Sequence, residues 1–171
     1  KRAVDQLLAL HRNYLRRIID VRMDPKLRGR IDPSDVVQET LVVASRRIGD
    51  FLNRRPTSFR IWLRRKALEQ LFDQRRFHRR QKRDVGQEIS LNDPSSMAIA
   101  VALIGDSASR VAMRQELLKQ VRAAMDSLSE TDREVLLLRH AEELSNTEAA
   151  EVMGIEPKAA SARYGRAVLR L

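Results

Sequence analysis

Arg54, Arg55, Arg60, Arg64, Arg65, Lys66, Arg75, Arg76, Arg79, Arg80, Lys82 and Arg83 crowd into residues 54–83, against two acids, Glu69 and Asp73. Phe59, Trp62, Phe77 and His78 are interleaved with them. Guanidinium groups bind phosphate oxygens in a fork, and aromatic rings stack on unpaired bases. The chemistry on offer is recognition of a polyanion. The formal net charge of the 171-residue chain is +10, and outside this segment 21 basic and 21 acidic residues cancel. A localised cationic stripe is the footprint of a nucleic-acid partner, although a merely solvated charged face has the same composition.

Catalytic signatures are missing from the sequence. It has no phosphate-cradling glycine loop, no H-E-x-x-H and no glycine-flanked serine. His11, His78 and His140 stand far apart without ligand spacing. Neither a metal, nor a cofactor, nor an enzymatic activity is expected. Cysteine is absent, which excludes disulfides and fits a reducing, cytoplasmic setting. No apolar run approaches the roughly 20 residues needed to span a bilayer, so no membrane partner is expected. The chain opens at Lys1 with neither methionine nor an apolar leader, and a trimmed N-terminus is expected.

Apolar residues recur at helical spacing, which predicts an all-α protein. Val4, Leu7, Leu8, His11, Leu15 and Ile18 form one stripe on a first helix. After the breaker-rich "DPKLRGRIDP", Asp32 and Pro33 are a cap and first-turn pair for a second helix. Its inward residues are Val36, Val37, Leu41, Ala44 and Ile48; Asp35, Gln38 and Glu39 share its outward face. Ser58 then caps the basic helix. There Ile61, Leu68, Leu71 and Phe72 are expected to reach a core, as is Trp62. Arg64, Arg65, Arg75, Arg76, Arg79 and Arg80 are expected on the open faces, with Phe77 and His78 exposed among them.

Composition flips between Asp84 and Ser109, where Lys and Arg are absent and four acids occur. This predicts a linker over 84–109 between domains at 1–83 and 110–171. In the second domain Ser129 and Asp132 approach a capping box, and Leu136, Leu137 and Arg139 continue that helix. Ser145 and Glu148 repeat the box, Gly154 supplies a left-handed stop, and Pro157 opens the last helix. Ala160, Tyr164, Ala167, Val168 and Leu171 are its inward stripe. Lys158, Ser161, Ala162, Arg163, Gly165 and Arg166 are its candidate DNA contacts, the small residues allowing close approach to a groove. Two short helices around a glycine turn, the second small and basic outside, make a helix-turn-helix pattern; a plain helical hairpin reads the same way.

The motifs together resemble a bacterial RNA polymerase sigma factor of the extracytoplasmic-function group, over nearly the whole chain. "DPSDVVQETLVVASRRIGDF" resembles the core-binding helix of region two, "FRIWLRRKALEQLFDQRRFHRRQKRD" the promoter-melting and minus-ten segment, and "LSETDREVLLLRHAEELSNTEAAEVMGIEPKAASARYGRAVLRL" region four. "GIEPKAASARYGRA" is similar to the type common in planctomycetes. The resemblance implies two helical domains, the C-terminal one a helix-turn-helix, and partners rather than substrates. Asp35, Gln38 and Glu39 would meet the β′ clamp helices of the polymerase core, whose β flap is a further expected contact. Residues 53–58 would receive a base flipped from the non-template strand. Arg54, Arg55, Arg60, Arg64, Arg65, Arg75, Arg76, Phe77, Arg79 and Arg80 would hold the opened strand, and the last helix would read the minus-thirty-five duplex. An anti-sigma factor is a further implied partner. A stand-alone helix-turn-helix regulator, without affinity for polymerase, is the alternative. Glu69 stands where the family often has Asn, the loop lacks the usual glycine, and Ala162 and Gly165 replace larger side chains, so specificity at these points is not carried over.

Overall fold

The computed structural model describes residues 2–81 and 111–171, apart from the side chains of residues 25, 26, 78–81, 111–115, 118 and 122. The chain divides into two compact units with the boundary between Asp93 and Pro94. The expected linker 84–109 lies outside the described residues. Every regular element described is helical, and among the described residues no helix is long and apolar enough to cross a membrane.

The first unit contains α1 (Arg2–Leu10), α2 (Arg12–Arg22), the single turn α3 (Pro25–Arg28), α4 (Pro33–Arg54) and α5 (Phe59–Gln81). The stripe expected on one first helix is broken at His11, whose ψ of 2° interrupts the helical path between α1 and α2. Leu8, Leu15 and Ile18 are buried on either side of that break, whereas Leu7 is exposed. Asp32 caps α4 by accepting from the Ser34 amide at 2.7 Å, with Pro33 in the first turn. This contact holds the Asp32 carboxyl below its ordinary range, helped by Arg16. Val36, Val37, Thr40, Ala44, Ile48 and Phe51 form the buried face of α4, while Leu41 is only half-buried.

Helix α4 ends at Arg55, which adopts the left-handed conformation at φ 38°. The short connection then returns the chain as α5, which packs on both α2 and α4. Ser58 accepts from the Ile61 amide at a long 3.4 Å, a weak form of the expected cap. Leu15, Ile18, Ile19, Met23, Val36 and Leu63 are fully buried where the three helices meet. Phe51, Phe59 and Trp62 form a ring cluster, with Phe51–Trp62 centroids 4.9 Å apart and Phe59 stacked on Trp62 at 5.7 Å. His11 closes the cluster edge-on to Phe59 at 5.2 Å. Trp62 is therefore a core residue, as expected. Phe72 is not: it is 60% exposed, because it follows buried Leu71 by one residue and so points about 100° away.

The second unit contains α6 (Val111–Ser127), α7 (Glu130–Leu136), α8 (Asn146–Met153) and α9 (Pro157–Arg170). Ser129 accepts from the Asp132 amide at 3.2 Å and starts α7. The helix does not continue regularly; it widens into a π-helical turn over Leu137–Ala141, with the Glu142 amide bonded back to the Leu137 carbonyl. That extra residue per turn brings Leu137, Leu138, Ala141 and Glu142 all inward. Burial lowers the pKa of His140 below the ordinary 6.5, with Arg139 adding to the effect, and burial with Arg60 does the same to His11. Both folded units favour the neutral imidazole, so the unfolded chain takes up these protons first. The stabilisation is complete above the ordinary value and is lost as pH falls through the lowered folded values. Thermal melts from about pH 7.5 down to 5.5 should show a falling midpoint, flattened in His11→Gln and His140→Gln. Equal slopes in variants and parent would contradict this assignment.

Candidate nucleic-acid interface

Helix α5 has to supply a core stripe and a cationic surface from one run of residues. Ile61, Trp62, Leu63, Ala67 and Leu71 take the inward side, with Leu68 half-buried. Arg64 falls among them, three residues after Ile61 and three before Ala67, and is only 8% exposed. The expectation that Arg64 covers an open face is therefore corrected: its side chain is buried and engaged. Arg60 is half-buried, with its guanidinium 4.4 Å over the Tyr14 ring and its carbonyl accepting from the Tyr14 hydroxyl at 3.4 Å. Arg75 is half-buried and lies 3.8 Å from the Asp24 carboxylate. Arg60 and Arg75 thus hold α5 to α2 and the turn after it before they can serve any ligand.

The cations left open are Arg54 and Arg55 at the end of α4, and Arg65 and Arg76 on α5, with Phe77 beside them at 57% exposure. Arg79 and Arg80 lie on α5, but their side chains, like that of His78, are outside the described residues. Lys66 forms a 2.6 Å ion pair with Glu69, so this acid carries its own counterion. Phe59, considered for base stacking, sits in the ring cluster instead. An apolar hollow of about 300 Å³ opens beside it, lined by Phe51, Leu52, Arg55, Thr57 and Phe59 among others.

Asp35, Gln38 and Glu39 are all exposed on α4. Gln38 accepts from Arg12 at 2.9 Å, and Glu39 accepts from the Gln74 amide at 3.0 Å. The face is thus pre-oriented from α2 and α5 while its carboxylates remain open to solvent. Sequence reasoning missed the Gln74 contact, although Gln70, Asp73, Gln74 and Phe77 share one helical face by their spacing.

In the second unit, the Ser145–Glu148 capping box is complete, with bonds of 3.2 and 2.9 Å, and Gly154 stops α8 at φ 65°. The Asn146 amide donates to the Pro157 carbonyl at 2.8 Å, tying the starts of α8 and α9 together. Ala149, Ala150, Ala160 and Ala167 are buried, and side chains this small let the helices approach closely. His140 and Tyr164 share a 3.1 Å hydrogen bond, and Arg170 pairs with the buried Asp132 at 3.0 Å. These contacts lock α9 onto the π-helical turn and onto α7, respectively, and were not foreseen. Lys158, Ser161, Ala162, Gly165 and Arg166 are exposed on one side of α9, and Arg163 is half-buried. Val168 and Leu171, expected inward, are exposed; Val168 follows buried Ala167 by one residue and turns outward. Among the described residues no group of acids and histidines could hold a metal ion.

Residues 118–171 match the family described as sigma-70, region 4. Over 143 residues, 82% of this chain and 71% of the relative, the chain is 36% identical to the RNA polymerase sigma factor CnrH of Cupriavidus metallidurans. The solved structure of CnrH in complex with the cytosolic domain of CnrY is similar at a TM-score of 0.53 and 29% identity, covering 99% of this chain and 84% of that one. The sigma factor RpoE, co-crystallised with the anti-sigma factor NepR from Bartonella quintana, shares the fold at a TM-score of 0.56 and 22% identity, covering 99% and 94% of the two chains. The capped helix-turn-helix, the basic helix beside one with exposed acids near its start, and this relationship across most of its length make the chain a member of the RNA polymerase sigma factors, in the extracytoplasmic-function group.

Proposed function

We propose that this sigma factor directs core RNA polymerase to promoter DNA and helps open it, using α4 for the enzyme and α5 and α9 for the DNA, with no catalysis of its own. The observation that carries the reading is the division of the first unit's surface. Exposed Asp35, Gln38 and Glu39 offer acceptors on α4, and exposed Arg65, Arg76 and Phe77 offer cations and a ring on α5. A protein partner and a polyanion need surfaces of opposite sign, and here they occur on adjacent helices. Strand opening follows from differential binding: stacking and phosphate contacts favour the unpaired strand, and flipping a base costs about a few kcal/mol that they must offset. We assign the hollow beside Arg55 and Phe59 as the receptacle for that base, since its walls are mostly apolar and Arg55 is part of its lining.

The domain reading is region two at 1–83, a linker at 84–109 and region four at 110–171, the last overlapping the matched family at 118–171. In α9 we assign Lys158, Ser161, Arg163 and Arg166 to phosphates and base edges of the minus-thirty-five duplex, with Ala162 and Gly165 admitting the groove. An anti-sigma factor is an expected regulator, since one of the similar solved structures is a complex with an anti-sigma factor and another a complex with the cytosolic domain of CnrY. The variant "GIEPKAASARYGRA" aligns the chain, in this reading, with the planctomycete type. A cytoplasmic location follows from the function rather than from any feature of the fold.

Run-off transcription with core enzyme on a promoter library tests the whole reading; failure to initiate anywhere refutes it. Lysine substitution at Asp35, Gln38 and Glu39 together should weaken core binding by about tenfold or more in an equilibrium titration, and unchanged affinity would mean that α4 meets something else. Arg65→Ala and Arg76→Ala should each lower the salt slope of single-strand binding by about 0.7, the contribution of one phosphate contact. Arg64→Ala should instead lower the melting temperature of the first unit. Gly165 has open space where a Cβ would stand, so Gly165→Ala should stabilise the second unit by about 0.5–1 kcal/mol. If the groove approaches α9 closely there, the same change weakens duplex binding; a stabilised variant with unaltered duplex affinity would remove Gly165 from the interface.

A further inference from the structure

A hollow of about 500 Å³ lies between α4 and α5, lined by Glu39, Gln70, Asp73, Gln74, Arg76 and Phe77. Gln70, Asp73, Gln74 and Phe77 follow one another at helical spacing, so they form a single stripe along the side of α5 that turns toward Glu39. The stripe contrasts with the rest of the helix. It sets a carboxylate and two amides into the most cationic element of the chain, directly beside a second carboxylate on α4. The Glu39–Gln74 hydrogen bond of 3.0 Å spans the gap and fixes the Gln74 amide nitrogen toward Glu39, which leaves its carbonyl oxygen available. Among the described residues Asp73 has no ion-pair partner, and the Phe77 ring is 57% exposed.

We propose that this hollow receives an arginine side chain of the polymerase core, extending the enzyme-binding surface from α4 onto α5. The inference rests on the reading of Asp35, Gln38 and Glu39 as the polymerase-facing group. A guanidinium is planar, donates through five N–H groups and accepts nothing, and it stacks on aromatic faces. The hollow answers each property. Glu39 and Asp73 are acceptors for a forked donor, the amide carbonyl oxygens add neutral acceptors, and Phe77 forms a wall for stacking. Among the described lining residues, two carboxylates against one cation, Arg76, leave the notch net negative. A nucleic-acid strand bound along α5 would meet repulsion there, whereas a cation from a protein gains from it. The notch is also continuous with α4, since Glu39 belongs to both surfaces. Asp73 therefore serves the protein partner from within the basic helix, and Arg76 and Phe77, which also line the hollow, stand at its border with the strand-binding side that bears Arg65.

The test compares equilibrium binding of the full chain to core polymerase and to single-stranded promoter DNA, for the parent, Asp73→Asn, Asp73→Glu and Asp35→Lys, each with a thermal melt. Asp73→Asn should weaken core binding by about three- to tenfold and flatten its salt dependence, without lowering the melting temperature or the affinity for the strand. Asp73→Glu, which keeps the charge, should restore most of the loss. If Asp35→Lys weakens core binding while Asp73→Asn does not, the hollow is not part of the enzyme interface and the proposal fails alone. An Asp35→Lys variant that binds core normally overturns the polymerase-facing reading and this inference with it. A change confined to single-strand affinity would assign the hollow to an unpaired base instead. A lowered melting temperature in Asp73→Asn would reduce Asp73 to a structural role, and the inference would be wrong.

Discussion

Burial of one side of α5 against α2 and α4 is the constraint from which the rest of the first unit follows. A helix exposes its residues around a full circle, and this one needs a core stripe for stability and a cationic surface for ligand. Ile61, Trp62, Leu63, Ala67 and Leu71 fix its rotation. Once that rotation is set, each arginine with a described side chain has an assigned environment: Arg64 goes inside, Arg60 lies over Tyr14, Arg75 turns toward Asp24, and Arg65 and Arg76 remain in water. The cationic stripe is thus narrower than its composition suggests, and part of the positive charge works as internal fastening.

That fastening has a physical logic. A long helix rich in arginine repels itself, and isolated it gains little from its own propensity. Arg60 and Arg75 offset this by placing their charge on an aromatic face and beside a carboxylate at two points along the helix. The ring cluster of Phe51, Phe59, Trp62 and His11 anchors its first turn next to the α4–α5 connection. A loop supported in this way can present Arg55 and Thr57 at a fixed place without a large core beneath it.

The second unit solves a smaller version of the same problem. Its last helix must be held firmly while offering few large side chains to hold it. Alanines make the seam, and polar locks at both ends compensate for the limited apolar area: Asn146 to the Pro157 carbonyl at the start, and Arg170 to Asp132 at the finish. The π-helical turn at Leu137–Ala141 brings His140 to Tyr164 and adds a lock midway. Charge and small residues are thereby left free on the opposite side.

Local chemistry was legible in the residue order. The Asp32–Pro33 start, the Ser145–Glu148 box, the Gly154 stop and the open α4 positions Asp35, Gln38 and Glu39 depend on neighbours within a turn or two, and periodicity alone locates them. Arg64 keeps helical step with Ile61, Ala67 and Leu71, so periodicity points it inward while its charge points it to solvent, and only the packed core decides between them. What tertiary structure alone decided are the pairings between distant segments: Tyr14 with Arg60, Asp24 with Arg75, Glu39 with Gln74, and Asp132 with Arg170. The reason is that a charged or amide side chain has no preferred side until a packed core sets the rotation of its helix and brings a partner within hydrogen-bond reach. Composition determined that the chain is cationic; packing determined which of those cations still face water.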